Sequence, residues 1–358
     1  MSVIESVVSC RVLDSFRVQM VSGMFDVSLD EKLSNRFAIE IPTDDDWRVG
    51  MIVGPSGSGK SSIAAKAFGS QVYRGFRWPA RKAIVDAFPA ELETRSILRT
   101  LISVGLSSPP AWCKPYRVLS TGEQFRADLA MSLVSPDPLI AFDEYTSVVD
   151  RRTAQMGSAA LRKSIDAGHI DRQFVAITCH RDVIDWLQPD WVADMSSGQL
   201  SRRRLRRPKL EMQIRAGSIS DWPLFAKHHY LDPRLNPAAR CFLATLDNQP
   251  VAFAAVLNHF RKHTFRFTRL VTLPSFQGIG VGGALLDGVA AHLVDNEDAE
   301  LVSISGSHPA VIHHCNASSR WEFRELKKTG RRASGFFRDH PDWKVSLGRA
   351  VASFRYQE

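Results

Sequence analysis

Short apolar runs punctuate the first 200 residues, each closed by a glycine- or aspartate-rich turn and alternating with stretches of helical periodicity, which predicts a mainly parallel α/β sheet. Residues 47–53 read as the clearest strand, and 139–142 and 174–178 as two more. Residues 62–68 have helical character, and Phe125, Leu129 and Leu133 mark the apolar positions of another helix. A second cycle opens beyond residue 210. It comprises a strand at 211–215, a short helix near 221–229 and strands at 241–246, 251–257 and 269–274, then a helix over 284–293 with Leu285, Leu286, Val289 and Leu293 on one face. The expected organisation is one folded unit over 1–200, a linker over 201–209 and a second unit over 210–345, without tandem repeats or low-complexity tracts.

The chain has 358 residues, 44% of them hydrophobic and 23% charged, enough for two cores. Its five cysteines stand singly, with neither zinc-ligand nor disulfide-framework spacing, and a reducing cytoplasm is the expected location. The N-terminal residues lack a basic region followed by an apolar stretch, and no apolar run approaches the roughly 20 residues that span a bilayer. A soluble protein is expected, with no membrane subunit. The net charge of +8 favours an anionic partner. Six of the nine residues 201–209 are basic, and Arg202, Arg203, Arg204, Arg206 and Arg207 are the expected contacts to nucleic acid; a solvated linker is the competing reading.

The strand at 47–53 leads into Gly54-Pro55-Ser56-Gly57-Ser58-Gly59-Lys60-Ser61, with Ser62 opening the helix. Strand, glycine loop and helix in that order form a phosphate loop: backbone N–H groups and the helix N-terminus face phosphate, Lys60 reaches the β and γ groups and Ser61 binds magnesium. Gly54, Ser56, Gly57, Gly59, Lys60, Ser61 and Ser62 are the expected ATP contacts. The strand at 139–142 ends in Asp143-Glu144. Asp143 is the expected second anchor for Mg2+, and Glu144 the group that orients or deprotonates the attacking water. Alone, such a carboxylate pair is as readily structural.

Leu119-Ser120-Thr121-Gly122-Glu123-Gln124 resembles the signature motif of ATP-binding-cassette (ABC) ATPases. The order phosphate loop, signature, Asp143-Glu144, Ser147-Val148-Val149-Asp150 and His180 is similar to that family's order. The resemblance implies that His180 is the switch histidine, a catalytic residue together with Glu144. It also implies that two copies close head to tail on ATP, so that Ser120 and Gly122 of one copy complete the site of the other. The chain departs from the family pattern in three places. Leu119 follows Lys60 by only 59 positions, which leaves little room for the helical subdomain of transporter ATPases. Asp86 is the nearest polar residue to the usual coupling-loop glutamine, and Tyr145 stands where proline usually follows Asp-Glu.

In the second unit, Gln277-Gly278-Ile279-Gly280-Val281-Gly282-Gly283 joins a strand to a helix, a natural seat for a pyrophosphate. The combination resembles the acyl-CoA motif of GNAT N-acyltransferases, with Gln277, Gly280 and Gly282 on its fixed positions; a Rossmann fingerprint is the competing match. The resemblance implies acyl-CoA contacts from Gln277, Gly278, Gly280, Gly282 and Gly283, with acetyl-CoA or another acyl-CoA as donor. It also implies direct attack of an amine on the thioester, whose carbonyl is held by backbone N–H from the strand before Gln277. GNAT enzymes often protonate the thiolate with a tyrosine; residues 311–321 contain none, which leaves the acid unassigned. His228-His229-Tyr230 could face the acceptor or simply stop a helix.

Taken whole, the chain resembles bacterial and phage proteins that fuse an ABC ATPase to a GNAT domain, and its second unit is similar to Mom-type proteins that modify adenine in phage DNA. The expected fold class is an ABC-type P-loop NTPase domain followed by an α+β GNAT-fold domain. The expected function is ATP-dependent modification of nucleic acid or of a target bound to it. An ATP-driven switch carrying a degenerate GNAT binding module is the alternative, and an ABC transport ATPase ranks last.

Overall fold

A computed structural model describes residues 2–9, 15–26, 34–42, 47–202, 211–229, 233–258, 263–328 and 350–357. Arg203, Arg204, Arg206, Arg207 and Tyr230 lie outside them, as does most of the basic linker. Two compact units make up the chain, neither of them continuous in sequence. The first comprises Met1–Arg77, Met131–Ser158 and Ser164–Arg207, and the second Trp78–Ala130, Ala159–Lys163 and Pro208–Glu358.

The described part of the chain runs β1 (Ser2–Ser9), α1 (Phe16–Phe25), β2 (Ser34–Ile41), β3 (Val49–Val53), α2 (Lys60–Phe68), β4 (Val72–Tyr73), α3 (Ile84–Ala87), α4 (Thr94–Ser103), α5 (Pro109–Trp112), α6 (Thr121–Leu133), β5 (Leu139–Phe142), α7 (Arg151–Asp166), β6 (Gln173–Thr178), α8 (Val183–Leu187), β7 (Trp191–Asp194) and β8 (Gln199–Arg202). It continues with β9 (Met212–Gly217), α9 (Trp222–Ala226), β10 (Arg240–Leu246), β11 (Gln249–Asn258), β12 (Thr264–Thr272), α10 (Val281–Glu297), β13 (Leu301–Gly306), α11 (Pro309–Ala317), β14 (Trp321–Lys328) and β15 (Ala350–Tyr356).

In the first unit, six strands lie in the order β4-β5-β6-β3-β7-β8, parallel except for the β7–β8 pair. Residues of β3 and β5 are buried without alternation, as expected for strands covered on both faces. The antiparallel pair β1–β2 contributes Ile39 and Ile41 to a core that also holds Ile52, Ile63, Val175, Ile177 and Trp191. This sheet places the ends of β3, β5 and β6 side by side, where the expected nucleotide residues follow.

The second unit is built on seven strands in the order β14-β15-β13-β12-β11-β10-β9. All neighbours are antiparallel except β12 and β13, which pair only from Thr264↔Leu301 to Phe267↔Ile304. At that point β12 also slips register against β11, between Ala255 and Val256, leaving Thr268 as the extra residue of a bulge. A parallel pair that ends after four residues beside a bulge opens a wedge in an otherwise antiparallel sheet. Helix α10 buries Leu285, Leu286, Val289 and Leu293, the face expected from sequence. Among the described residues, no helix is long and apolar enough to cross a membrane.

Candidate nucleotide and acyl-CoA sites

The Gly54–Ser61 segment, expected to bind phosphate, lies between β3 and α2 and includes the first residues of α2. Gly59 caps α2 with φ +82°, and a Cβ there would come within 2.6 Å of the Phe37 ring, so both backbone and packing require glycine. Lys60 is 8% exposed, and its Nζ donates to the Pro55 carbonyl at 2.8 Å, bending the side chain back over the loop. Ser58 Oγ is buried in the same loop without a hydrogen-bond partner among the described residues.

Two strand ends meet here. Ser61 Oγ donates to Asp143 Oδ1 at 3.0 Å, joining the first turn of α2 to the end of β5. A serine hydroxyl beside a carboxylate is the hard-oxygen donor set that magnesium prefers. Glu144 has a left-handed backbone (φ +53°), and its Oε2 accepts from Ser147 Oγ at 2.6 Å. Tyr145 is fully buried; its N–H donates to the Ile177 carbonyl at 2.8 Å and its hydroxyl pairs with Ser158 Oγ at 3.1 Å. Proline could not make the first of these bonds, so the departure at this position ties the Asp-Glu turn to β6. Burial pushes the Tyr145 phenol well above its ordinary pKa, although the Ser158 hydrogen bond opposes the shift.

Asp150 caps α7, with Oδ1 accepting from Thr153 N–H at 2.9 Å and Oδ2 from Thr153 Oγ1 at 2.6 Å. Burial opposes ionisation of Asp150, but these bonds and further backbone donors outweigh it and hold the carboxyl below its ordinary value. His180 follows β6 and is half-buried, its N–H bonded to Thr178 Oγ1 at 3.1 Å. The adjoining Asp182 pairs with Arg151 at the start of α7.

The signature segment belongs to the second unit. Ser120 precedes α6 in a capping box, its N–H and Oγ both donating to Glu123 Oε2 at 2.9 Å, with Gly122 in the first turn. Glu123 also lies close enough to His228 to raise the imidazole pKa, but burial and Lys227 outweigh it and leave that value lowered. His228-His229 follows the end of α9, and the His229 ring meets Trp222 edge-on at 6.0 Å.

The Gln277–Gly283 segment follows β12 through the single turn Pro274–Phe276 and enters α10 at Gly280. Gly278 and Gly280 are left-handed, at φ +87° and +99°. Gln277 Nε2 donates to the Thr272 carbonyl at 3.1 Å, and its Oε1 accepts from Ser107 N–H at 2.9 Å. A Cβ on Gly282 would sit 2.9 Å from Thr272 Oγ1, and one on Gly283 2.5 Å from His314 Nδ1. These two glycines thus also permit the close approach of α10 to β12 and α11. His314 Nε2 and Trp321 Nε1 both bond to Asp287 Oδ1, at 3.0 and 2.7 Å. Burial works against ionisation of Asp287, but these two partners prevail and keep its carboxyl below the ordinary value. Next to His314, Cys315 is buried and its thiol is pushed up to about 12 by burial and the Asp287 charge. No tyrosine lies on α11.

Residues 203–312 match the family model described as the Acetyltransferase (GNAT) family. No curated protein sequence matches the chain. Among solved structures, the ribosomal-protein-S18-alanine N-acetyltransferase of Escherichia coli is 13% identical, over 41% of this chain and 93% of that one, with a TM-score of 0.32. A GNAT acetyltransferase from Elizabethkingia anophelis with acetyl-CoA bound is 14% identical, over 42% and 100%, at 0.32. The ATP-binding cassette MJ0796, in a dimeric post-hydrolysis state bound to ADP and Pi, is 15% identical, over 47% and 92%, at 0.37. The fold is mixed α/β, with a mainly parallel six-stranded sheet behind the Gly54–Ser61 loop in one unit and, in the other, a mainly antiparallel seven-stranded sheet whose strands β9 to β13 lie within the region matched by the GNAT family model.

Around the GNAT loop stand residues that no sequence motif singles out. Arg126 of α6 is 2% exposed, and its two terminal nitrogens donate to the carbonyls of Pro274 and Ser275, at 2.8 and 3.1 Å. His308 Nε2 donates to the Ser107 carbonyl at 2.7 Å, and a Cβ on Gly280 would meet Lys163 Nζ at 2.7 Å. Only Arg126 leaves a trace in the sequence: an arginine between Phe125 and Leu129, on the apolar positions of its helix.

Proposed function

We propose that the chain hydrolyses ATP as a transient head-to-tail homodimer and transfers an acyl group from acetyl-CoA or another acyl-CoA to an amine of a nucleic acid or of a target bound to it. The observation that carries this reading is the coexistence in one chain of a phosphate loop bonded to its carboxylate strand through Ser61 and Asp143, and a glycine loop at the wedge of a GNAT sheet. In the first site, Lys60, Ser58 and the loop amides would hold the phosphates, Ser61 and Asp143 the magnesium, and Glu144 the water, with His180 as the switch histidine that the motif order implies. In the second, the amides of Gly278, Gly280 and Gly282 would bind pyrophosphate while backbone at the Thr268 bulge supports the thioester carbonyl. When bound, acyl-CoA supplies the activated acyl group. The basic residues Arg202, Arg203, Arg204, Arg206 and Arg207 support a polyanionic partner, and the motif content supports work apart from a membrane.

A second reading, an ATP switch whose GNAT domain only binds, is favoured by the absence of tyrosine from α11 and the engagement of the Gln277 side chain by Ser107. Mass spectrometry of nucleic acid and protein from cells expressing the wild-type chain or Gly282→Glu separates the two. An acylated product lost in the variant supports transfer; acetyl-CoA binding without any such product leaves the switch.

A further inference from the structure

One helix carries both the signature and a clamp on the acyl-CoA loop. Helix α6 begins at Thr121, directly after Ser120, and Arg126 lies within its second turn. The guanidinium bridges the carbonyls of Pro274 and Ser275, in the turn that leads through Phe276 to Gln277. From the segment before α5, Ser107 N–H holds the Gln277 amide and Ser107 carbonyl accepts from His308. Gly105 packs so closely that a Cβ would fall 2.6 Å from the Gln277 carbonyl, and one on Gly278 would fall 2.8 Å from the Gly105 Cα. The loop's two left-handed glycines are therefore held by groups on both sides, and a buried bidentate donor has little freedom to tilt without breaking one of its bonds.

The geometry points to Arg126 as a positioning residue that couples the signature end of α6 to the acyl-CoA loop, so that nucleotide engaged at Ser120 and Gly122 raises affinity for acyl-CoA. This rests on the functional reading above, and it assigns that site its regulation. Coupling between two ligands must be reciprocal, so acyl-CoA raises affinity for ATP by the same factor. A ligand acts through this route only if it favours one position of α6 over another, and the two carbonyl bonds give Arg126 a defined position to favour.

The test uses the full chain carrying Glu144→Gln, which keeps ATP intact during titration. Calorimetry measures the Kd of acetyl-CoA with and without Mg-ATP, alone and combined with Arg126→Lys or Gly105→Ala. Lysine keeps the charge but cannot span two carbonyls, and the alanine methyl wedges the contact from the other side. We expect Mg-ATP to tighten acetyl-CoA binding about fivefold or more, ATP binding to tighten equally with acetyl-CoA, and both factors to fall toward one in each variant. A merely structural arginine would change the Kd values and leave the ratio. Acetyl-CoA binding that ignores ATP or weakens with it, or a ratio kept in both variants, overturns the coupling alone. No acetyl-CoA binding in any sample removes the functional reading and the coupling with it.

Discussion

Replacing Glu144 by glutamine isolates the chemistry of the ATP site, because the structure makes the change nearly silent in every other respect. Glutamine has the same length, can present its carbonyl oxygen to Ser147 Oγ where Glu144 Oε2 now accepts at 2.6 Å, and meets the same left-handed backbone at φ +53°. No cavity opens, and Asp143 keeps its bond to Ser61. Folding stability should therefore stay within roughly 0.5 kcal/mol. What disappears is a base able to take or orient the proton of water, a contribution of about 10²–10⁴ in rate. That corresponds to roughly 2.7–5.4 kcal/mol on the barrier. Single-turnover phosphate release should slow by that factor while Mg-ATP still binds, and sedimentation with ATP should show a persistent dimer. Lys60→Ala should instead lose nucleotide. A Glu144→Gln protein that hydrolyses ATP within threefold of wild type would refute the assignment of the water-orienting carboxylate.

Three further perturbations probe the surrounding structure. Tyr145→Phe should lower stability by about 1–3 kcal/mol, since it strands the fully buried Ser158 hydroxyl, and an unshifted urea midpoint would exclude that bond as a stabilising contact. Gly282→Glu should abolish acetyl-CoA binding in calorimetry, by crowding Thr272 Oγ1 and by setting a carboxylate against an anionic ligand; affinity kept within tenfold would place the ligand elsewhere. His308 has its pKa lowered by burial, against the opposing hydrogen bond to Ser107, and its Nδ1 accepts from Ala310 N–H only while unprotonated. Its stabilisation is fully present above the ordinary histidine value and is lost as pH falls through the lowered folded value. Urea melts at pH 7.5 and 5.5 should show a smaller acid loss for His308→Asn, which keeps an N-cap acceptor, and equal losses would count against this account.

Much of both sheets was legible because periodicity and local chemistry agreed. The run at 139–142 forms β5 as read, and the helix face of Leu285, Leu286, Val289 and Leu293 is the buried face of α10. The strand–turn–helix conformation around Gly54–Ser61 was legible for the same reason: neighbours in sequence dictate the backbone geometry of such a turn. The Ser61–Asp143 bond follows from two strand ends in one parallel sheet, which the motif order already implied. Contacts made across long sequence separations left no such pattern. Nothing near residue 107 announces that its backbone will hold Gln277, or that its carbonyl will accept from His308. Gly282 and Gly283 were expected in the loop, ahead of a helix starting at 284, whereas they occupy the first turn of α10, and their proximity to Thr272 and His314 depends on how that helix packs.

The short stretch before the signature belongs to the second unit, together with the seven-stranded sheet. Helices of four, ten and four residues, α3, α4 and α5, are too short to persist by backbone bonds alone and need a covered apolar side. That side is supplied within the second unit: Ile97, Leu101 and Trp112 are buried, the Trp112 indole donates to the Leu106 carbonyl at 2.7 Å, and its ring lies 6.1 Å from that of His308. The same packing brings Ser107 to Gln277, so a change that loosens this segment reaches the acyl-CoA loop before it reaches the sheet behind it. Trp112→Ala should accordingly weaken acetyl-CoA binding even under conditions where the seven-stranded sheet stays folded; unchanged affinity in a variant with a lowered melting temperature would separate the segment's packing from the loop's competence.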